Sequence, residues 1–281
     1  MEKVGRNAAF IVCLALTGVS GCIVISCNSE SFKARAERTV VVEQPMAPGM
    51  RLAADTEFGD IRISGEPTEV CRVTARIHVQ AETEELANAI VDQIAVSLVP
   101  TPGGIEVKID KPEKKPRYSS GVALEIHLPL TVDLDARTSF GKVEIADIQG
   151  AAKLHTSFGN IHAERVSGPL TLNTSHGAIV CSSITSSSLA LDTSFGNVTV
   201  GGLRSEGPLT AKVNTSHGNI DFTCPEGFGG GVDMETSFGK IRTEQPILVK
   251  GDFGKERLKG AIGSGEGAIT LRTSFGNISL N

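Results

Sequence analysis

The sequence contains no tryptophan and one tyrosine, and aromatic residues make up only 4% of its 281 positions. A core centred on bulky rings is therefore excluded, and the interior has to be built from small and branched aliphatic side chains. Strong charge of one sign is missing too: the formal net charge is −5, and no run of five or more basic residues occurs. Nucleic acid, whose binders carry a clustered basic face, is excluded as a partner on that ground. Cysteine is sparse. The six residues at 13, 22, 27, 71, 181 and 224 show no Cys/His spacing of a zinc site, and no metal or cofactor is expected. Gly-x-Ser-x-Gly is absent and no histidine falls in a recognisable nucleophile motif, so the chain reads as non-enzymatic.

Glycine, at 31 residues, is plentiful, and much of it sits in one repeated phrase. Thr-Glu-Phe-Gly-Asp-Ile begins at Thr56, and variants of Thr-Ser-Phe-Gly-Asn-Ile begin at Thr138, Thr156, Thr174, Thr193, Thr215, Thr236 and Thr273. From Thr138 to Thr236 the steps are 18, 18, 19, 22 and 21 residues. That period is too short for a pair of helices or a propeller blade and suits one coil of a β-solenoid. Leu170, Leu172 and Thr174 share one parity, and Ile179 falls on the other, so the chain must turn between them. Gly177 is expected to make that turn with positive φ, as are Gly159, Gly196 and Gly239 in their coils. A further apolar residue (Ile148, Val166, Ile184, Leu203) and often a second glycine (Gly150, Gly168, Gly207) complete a roughly triangular coil with two glycine-marked corners. Cys181 and Cys224 fall on the inward parity, as small buried hydrophobes. At about 4.8 Å per coil they stand roughly 10 Å apart, too far for a disulfide.

Ahead of the repeats lies a targeting segment. Lys3 and Arg6 form a positive start, Ala8 to Gly18 is apolar or small, and Val19-Ser20-Gly21-Cys22 follows. That last run resembles the lipobox of bacterial lipoproteins, which implies cleavage before Cys22 and lipidation of Cys22. The rival reading is a retained transmembrane helix, since apolar character continues through Ile23, Val24 and Ile25. Either way the rest of the chain is exported and tethered to a membrane. The expected organisation is a signal peptide over 1–21, a tether over 22–38, a first coil with an α+β insertion over 39–130, and the repeat array over 131–281. Within the insertion the pattern predicts a strand over 70–79, a helix over 82–93 with Leu86, Ile90 and Ile94 on one face, a hairpin around Pro102-Gly103-Gly104 and a strand over 122–128. The insertion is expected to cover the open end of the solenoid. Asp252-Phe253-Gly254-Lys255, inside the 37-residue gap before Thr273, looks like a degraded motif in a distorted coil.

The repeated phrase, the strand-helix-hairpin insertion after its first copy, the Leu128-Pro129-Leu130 step into the array and the Gly-x-Gly stretch before the last copy together resemble the bacterial "putative adhesin" domain family, over residues 38–281. The resemblance implies an all-β, exported, membrane-anchored β-solenoid of the cell envelope and supplies no ligand.

The candidate site is the column Phe140, Phe158, His176, Phe195, His217 and Phe238, extended by Phe58 and Phe275. It is read mainly as a partly buried ladder of offset rings, with a ligand-facing strip for sugars or lipid headgroups as the alternative. The residue after each motif glycine (Asp60, Lys142, Asn160, Ala178, Asn197, Asn219, Lys240, Asn277) is read as a polar ladder at a turn, and a single aspartate among eight argues against calcium. Two functions of different class remain. One is a lipid-anchored structural or adhesion module with a protein or glycan partner in the envelope. The other is a signalling partner that docks through the insertion, which an exposed apolar patch on the 86–94 helix would favour. A glycan-processing β-helix enzyme is the weaker third reading. Because the copy at Thr273 ends at Asn281, the C-terminal end is expected to leave an open edge that pairs end to end with a second copy or an envelope partner.

Overall fold

In the computed structural model, residues 33–113, 118–254 and 256–281 are described. The leader, including Cys22, lies outside them. Alternating apolar and polar residues make strands almost throughout. β1 (Ala34–Pro45) starts inside the stretch assigned to the tether and pairs antiparallel with the insertion. The first motif copy makes β2 (Arg51–Phe58) and β3 (Ile61–Glu66). The insertion supplies β4 (Val70–Ala81), α1 (Glu84–Gln93), β5 (Ala95–Thr101), β6 (Gly104–Asp110) and β7 (Ser119–Pro129). Thr83 caps α1, its hydroxyl accepting from the Leu86 amide, and Glu84 and Glu85 place acidic charge in the first turn.

The array then runs as long-side and short-side strands in alternation. These are β8 (Asp133–Phe140), β9 (Val143–Gln149), β10 (Ala152–Phe158), β11 (Ile161–Ser167), β12 (Leu170–His176) and β13 (Ile179–Ser182). They continue with β14 (Ser188–Phe195), β15 (Val198–Gly201), β16 (Thr210–His217), β17 (Ile220–Phe222), β18 (Gly230–Phe238) and β19 (Ile241–Thr243). A hairpin of β20 (Leu248–Phe253) and β21 (Arg257–Ile262) precedes β22 (Gly267–Phe275) and β23 (Ile278–Leu280).

Two sheets result. One has eleven strands in the order β1-β4-β7-β3-β9-β11-β13-β15-β17-β23-β19, and the other twelve in the order β20-β21-β18-β22-β16-β14-β12-β10-β8-β2-β6-β5. Between successive motif coils of the array all pairing is parallel and in register, so Thr138, Thr156, Thr174 and Thr193 lie over one another. The core between the sheets is aliphatic: Leu154, Leu172, Leu191 and Val213 from one wall meet Ile161, Ile179, Val198 and Ile220 from the other, all essentially buried. This is the all-β solenoid that the 18-to-22-residue period predicts.

The third side of each coil is narrow, held by single bridges such as Ser167 with Thr185 and Thr185 with Arg204. The second glycine marks one of its corners, with φ of 158° at Gly150 and 137° at Gly168, but the other corner has no glycine in the coils of β9, β11 and β13. Asp147, Arg165 and Ser183 adopt left-handed backbone, with φ of 60°, 49° and 55°, and Gly202 follows at 62°. The reversal shifts the inward alternation by one residue, which is how Ala163 and Val166, three apart, are both buried. The expectation of positive φ at Gly159, Gly177, Gly196 and Gly239 is overturned, since none of the four has left-handed backbone. Contact between coils is what requires glycine there. A Cβ on Gly196 would lie 2.0 Å from the Gly177 carbonyl oxygen, and one on Gly159 would lie 1.9 Å from that of Gly141.

Both ends depart from sequence order. β22 sits between β16 and β18, and β23 between β17 and β19, so the last copy is inserted ahead of the Thr236 coil. The expected open edge at Ile278 to Asn281 does not exist, because both sides of that copy are paired. The segment around Phe253 is one arm of an antiparallel hairpin laid on β18 rather than a distorted coil. At the other end β2 lies between β8 and β6, and β3 between β9 and β7. The insertion therefore contributes one irregular coil, and α1 packs on β1 and β4 through Ala87, Ile90 and Val91.

If close approach governs the corner, Gly196→Ala should destabilise by about 2 kcal/mol, the scale of an overpacked core. Gly201→Ala, in the same coil with nothing within 4 Å of its added Cβ, should change stability by less than about 0.5 kcal/mol. Equal melting temperatures for the two variants would remove the argument.

Candidate functional site

Each residue of the repeated phrase has a distinct task in binding one coil to the next. The threonines are buried on the inner parity of the twelve-stranded sheet, where an unpaired hydroxyl would be costly. Each donates to a backbone carbonyl one coil away: Thr156 Oγ1 to Gly141 O at 2.9 Å, Thr174 to Gly159 at 3.0 Å, Thr193 to Gly177 at 3.0 Å and Thr215 to Gly196 at 3.0 Å. The same bond joins Thr273 to Gly218 and Thr236 to Gly276, following the inserted order of the last coils, and Thr56 uses the Val122 carbonyl of β7.

The residue after the glycine performs a matching task on the outside. Asn160 Oδ1 accepts from the Ala178 amide at 2.9 Å, Asn197 from Asn219 at 2.8 Å, Asn219 from Asn277 at 2.8 Å and Asn277 from Lys240 at 3.0 Å. Asp60 accepts from Lys142 in the same way at 2.9 Å. The polar ladder at the turn is therefore a row of caps for backbone N–H groups.

The structure brings all the column residues together. Phe58, Phe140, Phe158, His176, Phe195, His217, Phe275 and Phe238 form one continuous stack, with centroids 4.7–4.9 Å apart and planes within 3–12° of parallel. Seven such steps make a stripe roughly 34 Å long at the strand spacing of a sheet. It lies outside the solenoid and is more exposed than a partly buried ladder would be: Phe158 is 46% and Phe195 48% exposed. What faces solvent is ring edge. Each ring face is covered by its neighbours, so a sugar has no face to stack on along the row. The outer face of the terminal Phe238, 68% exposed, differs from the rest. His176 and His217 are separated by Phe195, and among the described residues no group of three His, Cys, Asp or Glu side chains is placed to hold a metal.

A second polar feature escaped the sequence pattern because its members lie 84 residues apart. Asp135, 8% exposed on the outer face of β8, is gripped by Arg137 at 3.0 and 3.2 Å and by Arg51 of β2 at 2.5 Å. Burial alone would raise its pKa, but the two guanidinium contacts outweigh that and hold it below the usual carboxylate range. The three side chains line an open cleft of about 390 Å³ bounded by the β5–β6 turn. The cysteines among the described residues are not reactive centres: Cys71 and Cys181 are buried thiols pushed up to about 12, and partly buried Cys224 to about 11, by burial. The Leu86–Ile94 face of α1 is packed inward, with Ile90 3% and Ile94 0% exposed, so it offers no docking patch.

In-register coils, inward threonines and an outward ring stack define a parallel β-solenoid closed by hairpins. A family model described as Toastrack DUF4097 matches residues 105–281, and the chain belongs to that family. The match begins in β6, short of the 38–281 span of the resemblance.

Similar solved structures include a "putative cell adhesion protein" from Clostridium sporogenes (13% identity, TM-score 0.38, covering 88% of this chain and 98% of that one). A "putative adhesin" from Bacteroides fragilis is 15% identical, with a TM-score of 0.45 and coverage of 87% and 97%. A "putative lipid binding protein" from Parabacteroides distasonis is 10% identical, with a TM-score of 0.38 and coverage of 89% and 98%. Nothing about ligand or activity follows from these likenesses. No curated protein matches the chain.

Two stability tests follow. Thr174→Val keeps the shape and strips the donor from a buried carbonyl, and should cost about 1–3 kcal/mol in denaturant unfolding. A loss no larger than that of an exposed control such as Thr171→Val would refute the role. The Asp135 contribution is present above the pKa of an unfolded aspartate and is lost as pH falls through its lowered folded value. Asp135→Asn should therefore flatten the acid limb of the stability–pH curve, and an unchanged limb would contradict the pairing.

Proposed function

We propose that this Toastrack protein is a non-catalytic module of the cell envelope, tethered to a membrane through lipid on Cys22 and presenting a rigid solenoid for adhesion-like contact. The observation that supports this best is how completely the repeated residues are used within the fold. The threonine hydroxyls, asparagine amides, ring faces and glycine corners each bond or pack against the next coil. Chemistry needs polar groups gathered to meet a substrate, and what the repeat leaves over, the motif serines and the imidazole edges of His176 and His217, recurs singly from coil to coil. The positive start at Lys3 and Arg6, the apolar run and Val19-Ser20-Gly21-Cys22 support export and lipidation. Among the described residues no helix is long and apolar enough to cross a membrane.

Anchoring is tested on the full chain in its native envelope. Cys22→Ser should abolish lipid attachment and processing, read by mass spectrometry of the N-terminus. An intact, unlipidated N-terminus on the unsubstituted protein would overturn the anchoring reading.

A further inference from the structure

The two sheets present four outer edges, and three of them are blunted in ways that deter strand addition. β5 carries Pro100, β19 is three residues long, and the pairing of β20 with β21 shifts register between Val249 and Phe253. β1 is different. It runs twelve residues in unbroken register with β4, and among the described residues it has a strand neighbour on one side only. Its centre is Thr39-Val40-Val41-Val42, in which Val41 is 56% exposed and Val40 and Val42 are only partly covered by the core.

The polarity of the free edge follows from the last bond of the ladder, Met46 N–H to the Glu69 carbonyl at 2.9 Å. Antiparallel pairs alternate in which residues bond across. Even-numbered residues of β1 therefore face β4, and the N–H and C=O groups of Arg35, Glu37, Thr39, Val41 and Glu43 point to the open side. Pro45, which has no N–H to offer, falls on that same side, where a strand tolerates proline.

We propose that β1 pairs antiparallel with β1 of a second copy about a twofold axis at Thr39, joining the two eleven-stranded sheets into one. In this register Arg35 lies opposite the other copy's Glu43, twice, Glu37 lies opposite Val41, and Thr39 faces its counterpart. Sliding by two residues one way sets Glu37 against Glu43, a like-charge pair that opposes pairing, and sliding the other way exchanges both Arg35–Glu43 pairs for Lys33–Glu43 while setting Arg38 against its own counterpart, again like charges. Charge thus selects the register, and the half-covered Val40 and Val42 gain the cover the free edge lacks. This is a side-by-side contact through the first strand, unlike the end-to-end contact expected at the C-terminus, and it does not depend on the anchoring reading.

Full-length Thr39→Cys is oxidised in the native envelope and run on non-reducing gels beside the unsubstituted chain and Thr171→Cys, which is exposed on the other sheet. The expected result is about tenfold more dimer from Thr39→Cys than from either control, the ratio given by a preference of about 1.4 kcal/mol. Adding Val41→Pro should abolish the excess, since it removes an outward N–H and no bond to β4. The melting temperature of this variant should stay near that of the parent, whereas Val40→Pro should unfold the strand. Dimer from Thr39→Cys at the control level, or dimer that survives Val41→Pro with the fold intact, would overturn the proposal, including in favour of residues 1–32 occupying the edge.

Discussion

Parallel pairing in strict register is the constraint from which the molecule's other features follow. When coil repeats over coil at the spacing of a β-ladder, every residue meets its own counterpart above and below. A side chain that cannot stand beside itself is unusable, and one that can is used repeatedly. Threonine succeeds on the inside because its hydroxyl reaches a carbonyl of the neighbouring coil, at 2.9–3.0 Å in every copy. Phenylalanine succeeds outside because stacking hides both faces, so a nominally exposed ring loses much of its contact with water. Histidine substitutes at 176 and 217 because an imidazole stacks at the same spacing and its nitrogens, at the ring edge, remain in solvent. Glycine is required where the backbones approach too closely for a Cβ.

The same constraint creates difficulty at the ends. A coil that stacks on copies of itself is equally ready to stack on another molecule. The chain answers by abandoning sequence order at both ends and by changing pairing sense. The coil of β2 and β3 is sandwiched between the array and the insertion, and the coil of β22 and β23 between the array and the Thr236 coil. Outside these, the added strands pair antiparallel: β4 with β1, β6 with β5, and β21 with β18 and β20. Antiparallel pairing interrupts the in-register ladder at three of the four margins, and at the fourth the parallel row ends in β19, only three residues long.

Much of this was legible in the spacing of the threonines. The period gave the solenoid, the parity of Leu170, Leu172 and Thr174 against Ile179 gave two walls and a corner, and the insertion's strand, helix and hairpin appear where their patterns lie. The role of the motif glycine was misjudged because a turn suggests positive φ, whereas clearance from the next coil is a property of two chains side by side that a single coil's sequence does not express. The corner at Asp147, Arg165 and Ser183 was hidden for a related reason. Left-handed backbone usually advertises itself as glycine or asparagine, yet here one coil spends aspartate, the next arginine, and the two pair across the stack at 2.7 and 2.9 Å. Likewise, 37 residues of separation suggested that the Thr273 copy comes last, and only the pairing of β22 with both β16 and β18 shows otherwise.

What the repeat consumes indicates where any specific contact has to be sought. A surface built from identical rows offers the same chemistry at each step, and its asparagine row is bonded to the coils' own backbone. Distinctive groupings arise where the rows fail. Asp135 is buried by arginines from two strands, one of them in the first motif copy, and the cleft they line is walled by the β5–β6 turn of the insertion. At the opposite end Phe238 shows a bare ring face that no interior member of the stack shows. In the eleven-stranded sheet, the row that ends without a blunt edge ends at β1. Regularity gives the middle of this protein its rigidity. Its capacity to distinguish one partner from another has to come from these irregular margins, because only there does the chain place groups together that it does not repeat.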